Sequence, residues 1–137
     1  MVTPREFWNL RSANYDQGSG EEYAAAYDKT VANTLKYLNK DSRVLEFACG
    51  TGITTVAIAP HVSFVRAIDI SDEMVARARA KLDRLGLANV ELSQTDLFDP
   101  CLEEGSFDAV TAFNVLLYVE NRGEVLARIR SLLKAGG

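Results

Sequence analysis

The stretch Arg43 to Thr55, RVLEFACGTGITT, decides the fold. RVLEFA reads as a buried strand, and Cys49-Gly50-Thr51-Gly52 tightens into a glycine turn. Ile53 to Ala59 then reads as a helix that stops at Pro60. A strand, a glycine turn and a helix in that order form the opening half of a parallel crossover unit.

The same alternation continues outward. VSFVRAID supplies a second strand, followed by SDEMVARARAKLDRLG, a helix with Ser71 or Asp72 as N-cap, acids in its first turn and Gly86 as its stop. NVELSQT reads as a third strand leading into the acidic loop DLFDP. FDAVTAFNVL reads as a fourth strand ending near Tyr118, and Glu120 to Lys134 as the last helix. Upstream, Tyr23, Ala24, Tyr27, Val31, Leu35 and Leu38 recur at threes and fours, which predicts a helix from Glu21 to about Leu38. Gly18 and Gly20 separate that helix from a short aromatic segment.

From Arg43 onward the pattern is therefore α/β: a parallel sheet with helices on both faces. Ligands of such sheets sit at the carboxyl ends of the strands. Ala48 to Gly52, Asp69, Asp96 and Phe113-Asn114 all fall there, so four loops should converge on one crevice.

Composition narrows the function. A chain of 137 residues, 47% hydrophobic, can bury one core. Its formal charge of -4 and scattered Lys and Arg argue against a nucleic-acid binder. No apolar run reaches the ~20 residues of a membrane span, and the N-terminus lacks signal-peptide order, so a cytoplasmic protein is expected. Cys49 and Cys101 fit no metal or redox spacing and read as free thiols. The single histidine, His61, follows Pro60 in a turn, so neither a metal centre nor a histidine triad is expected.

Three ligand classes compete for the glycine turn. A mononucleotide P-loop would need a Lys after the second glycine, and none is present. The dinucleotide fingerprint would place its third glycine at position 55, which is Thr55. The third class is a nucleoside carrying an amino acid, and Glu46 bears on it as the one charged residue inside the apolar strand. A buried carboxylate needs a partner. A ligand ammonium would serve; so would a Lys, an Arg or a loop of the protein itself. Asp69, 17 positions beyond Gly52, suits both ribose hydroxyls of either an NAD or an adenosyl site. Asp96 can accept from an adenine amine, with the Leu97 N–H beside it as donor; taken alone it is an ordinary turn aspartate.

These residues together resemble the class I S-adenosylmethionine-dependent methyltransferases, in the small stand-alone type. VLEFACGTG is similar to their glycine-rich first motif, AIDIS to their ribose acid, and TDLFD to their adenine loop. FDAVTAFNVLLYVEN with LLKAGG is similar to their fourth strand and the helix after it. The resemblance implies a Rossmann-like sheet of order 3-2-1-4 over residues 43–137, with residues 1–42 as an N-terminal helical lid. It implies that Glu46 and the turn Ala48, Cys49, Gly50, Thr51 and Gly52 hold the methionine end of S-adenosyl-L-methionine. Asp69 and Ile70 would hold the ribose, Asp96 and Leu97 the adenine, with Asn114 and Val115 facing cofactor and substrate. Trp8 and Tyr15 would offer π faces near the sulfonium; simple packing of Phe7, Trp8 and Tyr15 is the other reading.

Ala48 stands where relatives often have glycine, and Leu117 where many have histidine, so no general base and no catalytic residue is assigned. The expected function is methyl transfer to a small-molecule nucleophile. A non-catalytic nucleotide-binding or interaction module is the alternative, and an NAD-dependent oxidoreductase the third choice. Relatives continue beyond a PGG-like turn, so the chain is expected to be a truncated form. Its apolar edge strand, 107–116, would pair with a second copy.

Overall fold

The computed structural model describes residues 1–19 and 23–137; Gly20 and Glu21, one expected as a separator and the other as a helix start, lie outside them. Four parallel strands form the sheet: β1 (Arg43–Phe47), β2 (Phe64–Asp69), β3 (Val90–Gln94) and β4 (Ala109–Thr111). Their order is β3-β2-β1-β4, as expected. Among the described residues six helices accompany it: α1 (Pro4–Ser12), α2 (Tyr15–Ser19), α3 (Ala24–Leu35), α4 (Ile53–Ile58), α5 (Asp72–Leu85) and α6 (Arg122–Leu132).

Alternate side chains along each strand point to opposite faces, and two cores result. Val44, Val65, Ala67 and Leu92 pack with Ile58 of α4 and Val75, Ala78 and Leu82 of α5. Leu45 and Ile68 pack on the other face with Leu97, Leu102, Val125 and Leu132. Helices thus cover both faces. The α5 caps match the sequence reading: the Ser71 hydroxyl accepts from the Met74 N–H, and Gly86 ends the helix at φ +65.

At the N-terminus, Thr3 and Glu6 close a capping box with Pro4 in the first turn, a helix start carried by the letters TPRE. α1 lies against the start of α5. Arg5 Nε pairs with Asp72 Oδ1 at 3.0 Å, and Asn9 Nδ2 donates to the same oxygen at 2.9 Å. The Ser71 hydroxyl in turn donates to Asn9 Oδ1 at 2.5 Å. Arg5 and then Asn9 hold the Asp72 carboxyl down to about 2.

The fourth strand departs from expectation. β4 has three residues rather than the ten of Phe107 to Leu116. Before it, Phe107 makes one parallel bridge to Leu133 and its carbonyl accepts from the Lys134 N–H at 2.8 Å. After it, Asn114 at φ +55 turns the chain off the sheet, and Leu116–Tyr118 closes a 3-10 turn. The apolar run continues not as a strand but as a partly exposed wall beside the carboxyl ends. The edge left for a second copy shrinks to Ala109–Thr111. The last helix is correspondingly shorter than Glu120 to Lys134, because Leu133 is extended and joins Phe107.

Ser71, fully buried, serves both α5 and α1. Ser71→Ala should lower unfolding free energy by about 1–2 kcal/mol, read as a lower urea midpoint at unchanged m.

Candidate cofactor site

The glycine turn is built by three left-handed residues: Ala48 at φ +59, Gly50 at φ +57 and Gly52 at φ +83. The Cys49 N–H donates to the Ile68 carbonyl at 3.0 Å and the Gly52 N–H to the Cys49 carbonyl at 3.1 Å, which folds the turn back over the end of β2. Above it lies a cavity of about 280 Å³, close to the lower end of the ~300–1,000 Å³ usual for small-molecule sites. A smaller one of about 40 Å³ adjoins it; Tyr15, Ala48, Gly50, Phe113 and Asn114 line both.

The two glycines differ in role. A Cβ on Gly50 would meet nothing within 4 Å and would project into open space. A Cβ on Gly52 would stand 3.1 Å from Ala78 Cβ, and Gly52 lines neither cavity. Gly52 lets the start of α4 approach α5, a packing role beside the one expected for it toward the methionine end.

Glu46 is 2% exposed and accepts from the hydroxyls of Thr54 and Thr55, the latter at 2.6 Å. Among the described residues no Lys or Arg pairs with it. Burial pushes its carboxyl up, with the nearby Asp69 adding to the rise, and it lines the smaller cavity. Thr55, where a dinucleotide fingerprint would have glycine, is thus fully buried as a partner of Glu46.

Asp69 ends β2 and lines the larger cavity. Its Oδ2 accepts from the Gly50 N–H and its Oδ1 from the Ser71 N–H, both at 2.9 Å. Burial raises its carboxyl despite those bonds. Ile70 lines the same cavity. Asp96 is exposed on the rim, with Oδ1 accepting from the Phe98 N–H at 2.7 Å in a local turn. Leu97 is buried beside it.

The remaining expected residues fall on the same ground. Asn114 lines both cavities and Val115 the larger; Cys49 and Thr51 line the smaller. Burial, then Glu46 and Asp69, push the Cys49 thiol far up, so it stays protonated. Tyr15 is pushed up to about 12, chiefly by burial with Tyr27 beside it, and keeps its proton. Pro4 and Trp8 of α1 also line the larger cavity, and Trp8 meets Tyr118 edge-on at 5.1 Å between centroids. The aromatic segment therefore both packs against the domain and walls the cavity.

Sequence reasoning did not identify Phe47, Met74, Phe98, Tyr118 or Val119 as cavity wall. Their apolar character gave no signal that distinguishes wall from core. It also passed over Thr54, although two hydroxyls eight and nine residues past a buried acid, across the glycine turn, are a legible partner set.

The turn yields two opposite expectations. Gly52→Ala adds a methyl against Ala78 at positive φ and should cost at least about 2 kcal/mol. Ala48→Gly relieves a left-handed alanine and should add up to about 1 kcal/mol. Urea unfolding of the pair checks both signs.

Residues 44–137 match the family described as a methyltransferase domain. The chain is 32% identical over 128 residues to the phosphatidylethanolamine N-methyltransferase of Cereibacter sphaeroides, covering 93% of this chain and 61% of that protein. It is 30% identical over 138 residues to the demethylmenaquinone methyltransferase of Lactococcus lactis subsp. lactis, covering 97% of this chain and 55% of that protein. The solved DhpI–SAH complex matches with a TM-score of 0.76 at 33% identity, over 96% of this chain and 62% of that one. The chain thus spans less than two thirds of the length of these relatives. With its sheet order and its glycine turn already in place, the chain belongs to the methyltransferase-domain family and has the fold of the class I S-adenosylmethionine-dependent methyltransferases.

Proposed function

We propose that the larger cavity and its smaller extension hold S-adenosylmethionine, and that the protein transfers its methyl group to a small-molecule nucleophile. The observation that carries this reading is Gly50, left open at the junction of the two cavities and tied by its N–H to Asp69. A side chain there would fill the space a ligand backbone needs.

The donor set suits the parts of such a ligand. Glu46, with Ala48, Cys49 and Thr51 around the smaller cavity, provides a carboxylate for an ammonium group. Asp69 retains lone pairs toward the larger cavity for ribose hydroxyls, with Ile70 beside it. Asp96 on the rim and buried Leu97 provide a polar edge and an apolar face for a purine. Tyr15 and Asn114 stand where the two cavities meet, next to the reacting centre.

When bound, the cofactor supplies a methyl group already activated by its sulfonium. The residues of this chain orient the reactants and exclude water, and α1 with Trp8 serves as a lid over the cavity. The wall left for an acceptor is mainly apolar and aromatic, with Trp8, Phe113, Val115 and Tyr118. The relatives above are named for different acceptors, an aminolipid and a quinone precursor, and we propose only that this one is a small molecule. We keep the cytoplasm as the proposed setting. Among the described residues no helix is long and apolar enough to cross a membrane. Family membership leaves the oxidoreductase reading without support.

Calorimetric titration with S-adenosylmethionine and S-adenosylhomocysteine tests the reading. Asp96→Ala, on the exposed rim, should weaken binding about tenfold with little change in stability. Asp69→Ala should abolish binding and also loosen the turn. A folded chain that takes up neither ligand would overturn the placement.

A further inference from the structure

Asp16 has no part in the roles above, yet three elements meet on its carboxylate. It lies on α2, one residue after Tyr15, which lines both cavities. Its Oδ1 accepts from the Thr51 hydroxyl at 2.5 Å, and its Oδ2 pairs with Lys81 Nζ of α5 at 2.6 Å. Lys81 also donates to the Thr51 oxygen at 3.1 Å, closing a triangle. Thr51 sits between Gly50 and Gly52 and is 1% exposed. Burial works to raise the Asp16 carboxyl, but the bonds from Lys81 and Thr51 outweigh it and hold it below the usual range.

Among the described residues, α1 has polar ties of its own, from Arg5 and Asn9 to Asp72 and Ser71. They fasten α1 to α5 and do not touch the turn. Asp16, by contrast, bonds directly to the turn through Thr51. Tyr15, on the segment that Asp16 fastens, lines both cavities, so a movement of α2 changes the opening where the two cavities meet.

We infer that Asp16 is a positioning residue: it clasps α2, and with it Tyr15, to the glycine turn, and release of this clasp sets the rate at which ligand enters and leaves the cavity. The rate statement rests on the proposed reading of the cavity as a cofactor site; the clasp itself does not. Because the clasp binds no ligand atom, weakening it accelerates entry and exit together and changes the dissociation constant far less than either rate.

The test uses Asp16→Asn, which removes the ion pair, and Lys81→Met, which removes it from the other side. Trp8, the single tryptophan, lines the cavity and reports on the N-terminal helices without any ligand. Both variants should raise acrylamide quenching of Trp8 in the ligand-free chain. In stopped flow, S-adenosylhomocysteine should leave each about tenfold faster, the scale of one charged hydrogen bond. The double variant should release it no faster than either single one, since both remove the same contact. Unchanged quenching in both variants overturns the clasp. Weakened affinity at an unchanged entry rate, or at an unchanged exit rate, overturns the gating role. If Asp16→Asn does not fold, Lys81→Met carries the test alone, because it leaves the Asp16–Thr51 bond in place. If the unaltered chain takes up no S-adenosylhomocysteine, the cavity reading fails, and Trp8 quenching still decides the clasp.

Discussion

The site depends on one buried carboxylate. Asp69, at the end of β2, receives the Gly50 N–H on one oxygen and the Ser71 N–H on the other. That fixes the turn that follows β1 to the residue that starts α5. A buried acid with two backbone donors is rigid, because either donor left alone would be an unpaired polar group. The crevice owes its shape to this tie before any ligand is considered, and the cost appears in the raised carboxyl of Asp69 itself.

A second buried acid, Glu46, is handled differently. Its partners are two threonine hydroxyls on α4 rather than backbone groups or a cation. Hydroxyls can redirect their protons, so Glu46 is satisfied as it stands and can still present an oxygen to the smaller cavity. Asp69 lies close enough to oppose the ionisation of Glu46. An incoming cation would relieve that opposition, which makes this corner electrostatically suited to an ammonium group.

The walls come from segments with little regular structure in common. α1 and α2 bring Trp8 and Tyr15 from one side, and the chain after β4 brings Phe113 to Tyr118 from the other. They meet in the edge-on contact of Trp8 with Tyr118. Phe113 to Tyr118 serve as wall beyond the end of β4 at Thr111, where the left-handed Asn114 bends the chain.

The alternation of strands and helices, the α5 caps and the acids at the strand ends were legible in the sequence, because periodicity, Ser71, Gly86 and the glycine turn are local signals that the fold does not override; the strand order came only with the resemblance to a known family. The apolar run after Phe107 misled for the opposite reason: a short apolar stretch has the same composition whether it pairs as a strand or covers a cavity. The roles of Gly50 and Gly52 could not be separated from their letters, since both adopt positive φ and only the approach of Ala78 tells them apart. Asp16 was likewise mute, because its partners lie 35 and 65 positions away, at Thr51 and Lys81. The sequence by itself determined the sheet, its turns and the chemistry available at its carboxyl edge. Only the tertiary structure decided which of those groups face open space and which are used up holding the crevice, because that depends on contacts between segments far apart in the chain.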